Sequence, residues 1–170
     1  MRTILVTGGI ASGKSEVCAH LQAKGYPVYD CDSRTKGLYA TVPGLRERVE
    51  EAIGVPLDQA EIIFRDPVRR QALEAIVYPE VLSDILRWRE AQSADTVIIE
   101  SAIALDKAVF DGLFDEVILV VAPLEVRLRR NPKAAERIHS QPPIDPRRAD
   151  YIIVNDGDIA SLHSKTDDIL

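Results

Sequence analysis

The sequence is poor in cysteine: among its 170 residues only Cys18 and Cys31 occur. The pair has no metal-ligand spacing and forms no disulfide framework, so two reduced thiols packed as small hydrophobes are expected. No apolar run approaches the ~18 residues of a membrane-spanning helix. The first strand-like run begins at Thr3, so no secretory leader is expected. Positive charge is not in excess either. Twenty-one Lys and Arg against 27 Asp and Glu give a formal net charge of −6, which argues against broad binding to nucleic acid or to anionic membranes. No internal repeat or low-complexity tract is present. A soluble, cytoplasmic, single-domain protein is therefore expected. A chain of this length buries roughly 70% of its unfolded surface, so it needs neither a metal nor a disulfide for stability.

What is present is sharper. Residues Gly8-Gly9-Ile10-Ala11-Ser12-Gly13-Lys14-Ser15 spell G-x-x-x-x-G-K-[ST]. They follow the apolar run Ile4-Leu5-Val6 and open onto a helical pattern, the context that a phosphate-binding loop requires. In such a loop, backbone N–H groups and a helix N-terminus cradle a polyphosphate. Lys14 supplies charge to the β- and γ-phosphates, and the Ser15 hydroxyl joins the coordination shell of Mg²⁺. A bound polyphosphate with Mg²⁺ is what the loop alone leads one to expect.

Five short runs read as strands buried on both faces: residues 3–7, 27–30, 96–100, 116–121 and 151–155. Helical patterns fill 14–24, 44–52, 67–77, 79–92, 124–130 and 132–140. Pro67 and Pro79 are each read as opening a helix. This alternation predicts an α/β fold with an open, five-stranded parallel sheet flanked by helices. Ligands in such folds sit at the carboxyl ends of the strands. The core is expected at 1–32 and 93–170, with a helical subdomain that covers the substrate at about 33–92 and a lid at about 124–148.

The second strand runs into Tyr29-Asp30-Cys31-Asp32. Transfer of a phosphoryl group to an alcohol needs a group that orients the hydroxyl and takes its proton. Asp32 is the candidate, with Asp30 orienting its neighbour or holding water on the metal. Helix capping is the plainer role for both. Glu100, at the end of the third strand, is a candidate to hold Mg²⁺ through water or to bind a substrate group, with a helix-starting Glu100-Ser101 pair as the plainer role. Asp115 and Glu116 stand at the opposite end of their strand and read as a solvated turn. A regulatory GTPase is disfavoured, because no N-K-x-D motif follows the fourth strand.

Taken in order, these segments resemble the dephospho-CoA kinase family. Thr7–Ser15 is similar to its T-G-G-I-G-S-G-K-S loop, with Ala11 in place of a glycine. Val28–Asp32, with Lys36 four residues on, resembles V-I-D-A-D-x-x-A-[RK]. Phe64–Pro79 is similar to F-x-D-x-x-x-R-x-x-L-E-x-I-x-H-P, with Tyr78 where the family has histidine. Glu100–Ile103 resembles E-S-A-I, Arg137–Gln141 resembles R-I-x-x-Q, and Ala149–Gly157 resembles A-D-Y-V-I-x-N-D-G. The lid between Arg127 and Ile138 is shorter than the family's.

The resemblance implies a P-loop kinase that phosphorylates the ribose 3′-hydroxyl of dephospho-CoA with ATP. It implies Asp32 as catalytic base. It also implies that Gly8, Gly9 and Ala11 through Glu16 hold the triphosphate, assisted by Lys14 and by the lid arginines Arg129 and Arg137, with Arg130 sharing the work. Asp30, Asp32, Lys36, Tyr78 and Glu100 are the implied acceptor contacts, and a monomer or weak homo-oligomer is the expected state. Other readings are a small-molecule kinase with a different acceptor, or a nucleotide-binding relative with little turnover.

Overall fold

In the computed structural model, the backbone of residues 1–170 is described, as are all side chains except those of Ala60 and Phe64. The Phe64 side chain that begins the third resembling segment therefore lies outside the described part. Contacts divide the chain into two compact units, Met1–Asp30 with Gln92–Leu170, and Cys31–Ala91.

The first unit is built on β1 (Arg2–Gly8), β2 (Val28–Asp30), β3 (Thr96–Glu100), β4 (Glu116–Val121) and β5 (Tyr151–Val154). All neighbouring strands are parallel, in the order β2-β3-β1-β4-β5. The central strand, β1, is buried from Thr3 to Gly8, which is why its sequence is apolar without polar alternation. Period-two geometry sends Ile4, Val6, Ile98, Ile118, Val120 and Ile153 to one face. There they pack with Val17, Cys18 and Leu21 of α1 (Lys14–Ala23) and with Leu162 of α8 (Ile159–Asp167). Leu5, Ile99 and Leu119, equally buried, lie on the other face. The chain turns to opposite sides of β1 for β3 and β4, so β1 ends at the switch point where such sheets bind ligands.

The polar ends of the sheet are tied as well. Asp115 Oδ2 accepts the Thr3 N–H at 2.6 Å, and Arg2 pairs with Glu116. Asp115 is exposed, as expected, yet it and Glu116, which opens β4 and is not in a turn, are also structural partners of β1. Their carboxylates take up a backbone donor and a guanidinium that the edge of a strand would otherwise leave to water.

The segment between β4 and β5 carries α6 (Leu124–Arg130) and α7 (Ala135–Ser140), with short 3₁₀ turns at Pro132–Ala134 and Pro146–Arg148.

The second unit is helical: α2 (Cys31–Thr41), α3 (Leu45–Ile53), α4 (Ala60–Arg65) and α5 (Pro67–Glu90). Asp66 caps α5. Its side chain accepts from the N–H groups of Val68 and Arg69, and Pro67 occupies the first turn, where a missing N–H costs nothing. The Arg69 N–H and the neighbouring Val68 N–H hold the Asp66 carboxyl below its ordinary range.

One expectation fails here. The two helices expected to divide at Pro79 are a single helix of 24 residues. An interior proline costs roughly 3 kcal/mol. Val77, Val81 and Ile85 are buried on both sides of it, and burying three such side chains returns about 1.5–3 kcal/mol each.

Candidate active site

The loop between β1 and α1 is bound on three sides by its own unit. Inside it, the Ser12 N–H donates to the Gly9 carbonyl at 3.1 Å, and Lys14 Nζ reaches back to the same carbonyl at 3.3 Å. Lys14 therefore lies across the loop. Helix α1 starts at Lys14, so the first amides of the helix and its dipole face the loop.

The loop's far side is held by Asn155, just beyond β5. Asn155 is 5% exposed, and its Nδ2 donates to the Ser12 carbonyl at 2.8 Å. A Cβ on Gly13 would stand 2.2 Å from that nitrogen, and Gly13 has a φ of 108°. Only glycine meets both conditions. Arg130 adds a second tie. Its guanidinium donates to Asn155 Oδ1 at 3.1 Å and to the carbonyls of Ala11 and Ser12 at 3.4 and 3.3 Å.

The near side meets α6 and the residue after α7. Arg127 Nε donates to the Ile10 carbonyl at 2.8 Å, and its Nη2 donates to Gln141 Oε1 at 2.9 Å. Gln141 Oε1 also accepts the Ile10 N–H at 2.8 Å. A Cβ on Gly9 would come within 2.5 Å of Arg127 Nη2. Behind this corner lies a cavity of about 170 Å³ lined by Gly9, Ser12, Arg127, Gln141 and the end of β4.

Of the arginines expected at the loop, Arg129 and Arg137 are exposed on α6 and α7. Arg127 and Arg130 are the ones that touch it. They are three residues apart and so share a face of α6, whereas Arg129 projects from another. That i, i+3 spacing was the available signal. Glu16 also turns elsewhere: its carboxylate bonds His163 of α8 at 2.7 Å.

Ser15 Oγ donates to Glu100 Oε1 at 2.7 Å. The β2–β3 register sets Asp30 beside Glu100. This places one hydroxyl and two carboxylates at adjacent strand and helix ends. The carboxylates, with Lys14, also reach Cys18 beneath the loop. Burial, then the Glu100 charge and its hydrogen bond, push the Cys18 thiol far above its ordinary range. An all-oxygen set suits Mg²⁺. Among the described residues no group of three or more His, Cys, Asp or Glu forms a metal cage. Thr7 Oγ1 and Ser12 Oγ are buried with no hydrogen-bond partner among the described residues. Buried hydroxyls are normally satisfied, so the loop retains polar capacity for an oxygen-rich ligand.

In the helical unit, Asp32 is the second residue of α2, which follows β2 directly. Lys36 lies one turn on and is exposed like Asp32. Tyr78 is half-buried on α5. Burial first, then the Glu74 carboxylate to which it hydrogen-bonds, raise its phenol well above the ordinary value. Asp32 acts in the same sense, and Arg70 opposes. Arg70, Glu74 and Tyr78 recur every four residues, so they form one stripe of α5, and that stripe lies within electrostatic reach of Asp32.

A parallel sheet with this strand order and a G-x-x-x-x-G-K-[ST] loop at the end of its central strand define a P-loop kinase fold. The dephospho-CoA kinase family model matches residues 2–161. A Porphyromonas gingivalis protein named dephospho-CoA kinase is 39% identical over 139 residues, covering 76% of this chain and 68% of its own. The crystal structure of TT1252 from Thermus thermophilus superposes with a TM-score of 0.82 at 31% identity, covering 99% of this chain and 95% of its own. The dephospho-CoA kinase from Campylobacter jejuni shares the fold, with a TM-score of 0.65 at 21% identity over 99% of this chain and 96% of its own. The chain belongs to the dephospho-CoA kinase family.

Proposed function

We propose that the protein transfers the γ-phosphoryl group of ATP to the ribose 3′-hydroxyl of dephospho-CoA, giving coenzyme A and ADP. The observation that carries this reading is the extent of the family match. It spans residues 2–161, so it includes the helical unit as well as the loop. A nucleotide loop alone is common to many kinases.

In this reading the loop from Gly8 to Ser15 binds the triphosphate through backbone N–H groups, and Lys14 neutralises charge on its terminal phosphates. Ser15, oriented by Glu100, and Asp30 through water would hold Mg²⁺, which would supply positive charge against the phosphate oxygens. Asp32 accepts the proton of the 3′-hydroxyl as that oxygen bonds to the γ-phosphorus and the bond to the β,γ-bridging oxygen breaks. Lys36, Tyr78 and the Glu74 that holds it orient the acceptor. No helix among the described residues is long and apolar enough to cross a membrane, and we place the protein in the cytoplasm, where its substrates are soluble.

A coupled ADP-release assay with a panel of alcohol acceptors tests the assignment. ADP release that depends on dephospho-CoA is expected. Turnover with another alcohol and none with dephospho-CoA would replace the acceptor, and none with any alcohol would leave a nucleotide-binding protein.

A further inference from the structure

Ala11 is the one residue other than glycine with a positive φ among the described residues, at 60°. A side chain in the left-handed region is strained, and such strain persists only where the surroundings enforce it. Ala11 follows directly on Ile10, and both polar groups of Ile10 are fixed. Its N–H is held by Gln141 Oε1 at 2.8 Å and its carbonyl by Arg127 Nε at 2.8 Å. Arg127 Nη2 closes the ring by donating to the same Gln141 oxygen at 2.9 Å. Gly9, on the other side of Ile10, leaves the space that the guanidinium fills.

We propose that Gln141 and Arg127 are positioning residues: together they clamp Ile10, hold Ala11 in its left-handed conformation, and so preform the phosphate loop before nucleotide binds. Neither side chain needs to touch the reacting atoms. The clamp joins the loop to the segment between β4 and β5, so displacement of that segment releases the loop. This inference rests on the reading of residues 8–15 as a nucleotide loop.

A double-mutant cycle tests it. Gln141→Met keeps the length of the half-buried side chain and removes the acceptor. Ala11→Gly removes the strain, because glycine adopts positive φ freely. Binding of ATP and of ADP is measured by calorimetry, without acceptor, alongside thermal unfolding. Losing the Gln141 acceptor is expected to weaken both nucleotides about 5–10-fold in the Ala11 protein, with Tm lowered by only a few degrees. In the Ala11→Gly background the same substitution is expected to cost less than about twofold, because the strained residue that needs the clamp is gone. Equal losses in both backgrounds would show Gln141 contributing independently of Ala11, and the clamp would be wrong. Unchanged affinity in both would overturn it too. A wild-type protein that binds neither nucleotide would overturn the loop reading along with it.

Discussion

Asn155 Nδ2 lies where a side chain on Gly13 would begin: a Cβ there would be 2.2 Å from it. The same nitrogen donates to the Ser12 carbonyl at 2.8 Å. The glycine that opens α1 and the asparagine that follows β5 are thus one device, in which the absence of a side chain at one position lets an amide at the other hold the loop.

Gly13→Ala is therefore expected to damage the loop more than Asn155→Ala. The first forces an alanine into a φ of 108° and expels the buried amide. The second removes the side-chain hydrogen bonds to Ser12 and from Arg130 and leaves space, with no backbone strain. Strain of this kind costs about 1–3 kcal/mol, and a lost buried partner about 1–3 kcal/mol more. For a chain of this size each 1 kcal/mol is roughly 2–4 °C in Tm. Gly13→Ala is expected to lower Tm by about 5 °C or more and ATP affinity by over about tenfold. Calorimetric titration and thermal unfolding of both variants give the order, and a Gly13→Ala protein that binds ATP normally would refute it.

Asp32→Asn separates binding from chemistry. The amide keeps the shape and cannot accept the proton of an alcohol. ATP affinity is expected to stay within about twofold, while turnover with dephospho-CoA falls by at least about 100-fold. Equal loss of both would make Asp32 a residue of the fold, consistent with its place in the first turn of α2, where a carboxylate also favours the helix dipole. Retained turnover would move the base elsewhere.

The hydrogen bond from Ser15 to Glu100 predicts how the protein responds to Mg²⁺. Wild-type affinity for ATP is expected to rise when Mg²⁺ replaces EDTA. Ser15→Ala should lose most of that rise and leave the metal-free affinity nearly unchanged. Glu100→Gln still accepts from the hydroxyl but removes a charge, so an intermediate effect is expected. Nucleotide titrations with and without the metal distinguish these outcomes, and a Ser15→Ala protein with the full Mg²⁺ response would take Ser15 out of the metal shell.

The five strands were legible because β-branched runs bounded by Gly, Pro or Asp have few other uses, and a parallel sheet buried on both faces suppresses alternation. The helices were legible unevenly. α2 buries only Cys31 and Leu38 and includes Gly37 and two threonines, so it carries no helical period strong enough to read. The apparent boundary at Pro79 applied a local rule where packing by Val77, Val81 and Ile85 decides. At the site, the loop could be read outright because its chemistry is local in sequence. The partners that hold it, Arg127, Arg130, Gln141 and Asn155, lie more than a hundred residues away. On α6, the helical phase alone separates Arg127 and Arg130, which hydrogen-bond to the loop, from Arg129.

Cys18 gives a test of the ground beneath the loop. Its thiol is 3% exposed and is pushed up by burial first, then by the Glu100 carboxylate. The folded protein therefore keeps this thiol neutral at a pH where the unfolded chain has ionised it. A group raised on folding contributes stability that is complete below its unfolded value, here 9.0, and is lost as pH rises towards the folded one. Stability is expected to decline above about pH 9. Cys18→Ala should make that decline shallower, even though the smaller side chain lowers stability at neutral pH by leaving a small cavity. Tm measured from pH 7 to 10.5 for both proteins gives the two slopes. The same burial and charge predict that the native thiol reacts with a thiolate-selective reagent at pH 8 far more slowly than in denaturant. Rapid native modification at Cys18, located by peptide mapping, would mean that the floor of the loop opens to solvent and that Glu100 does not hold the thiol as described.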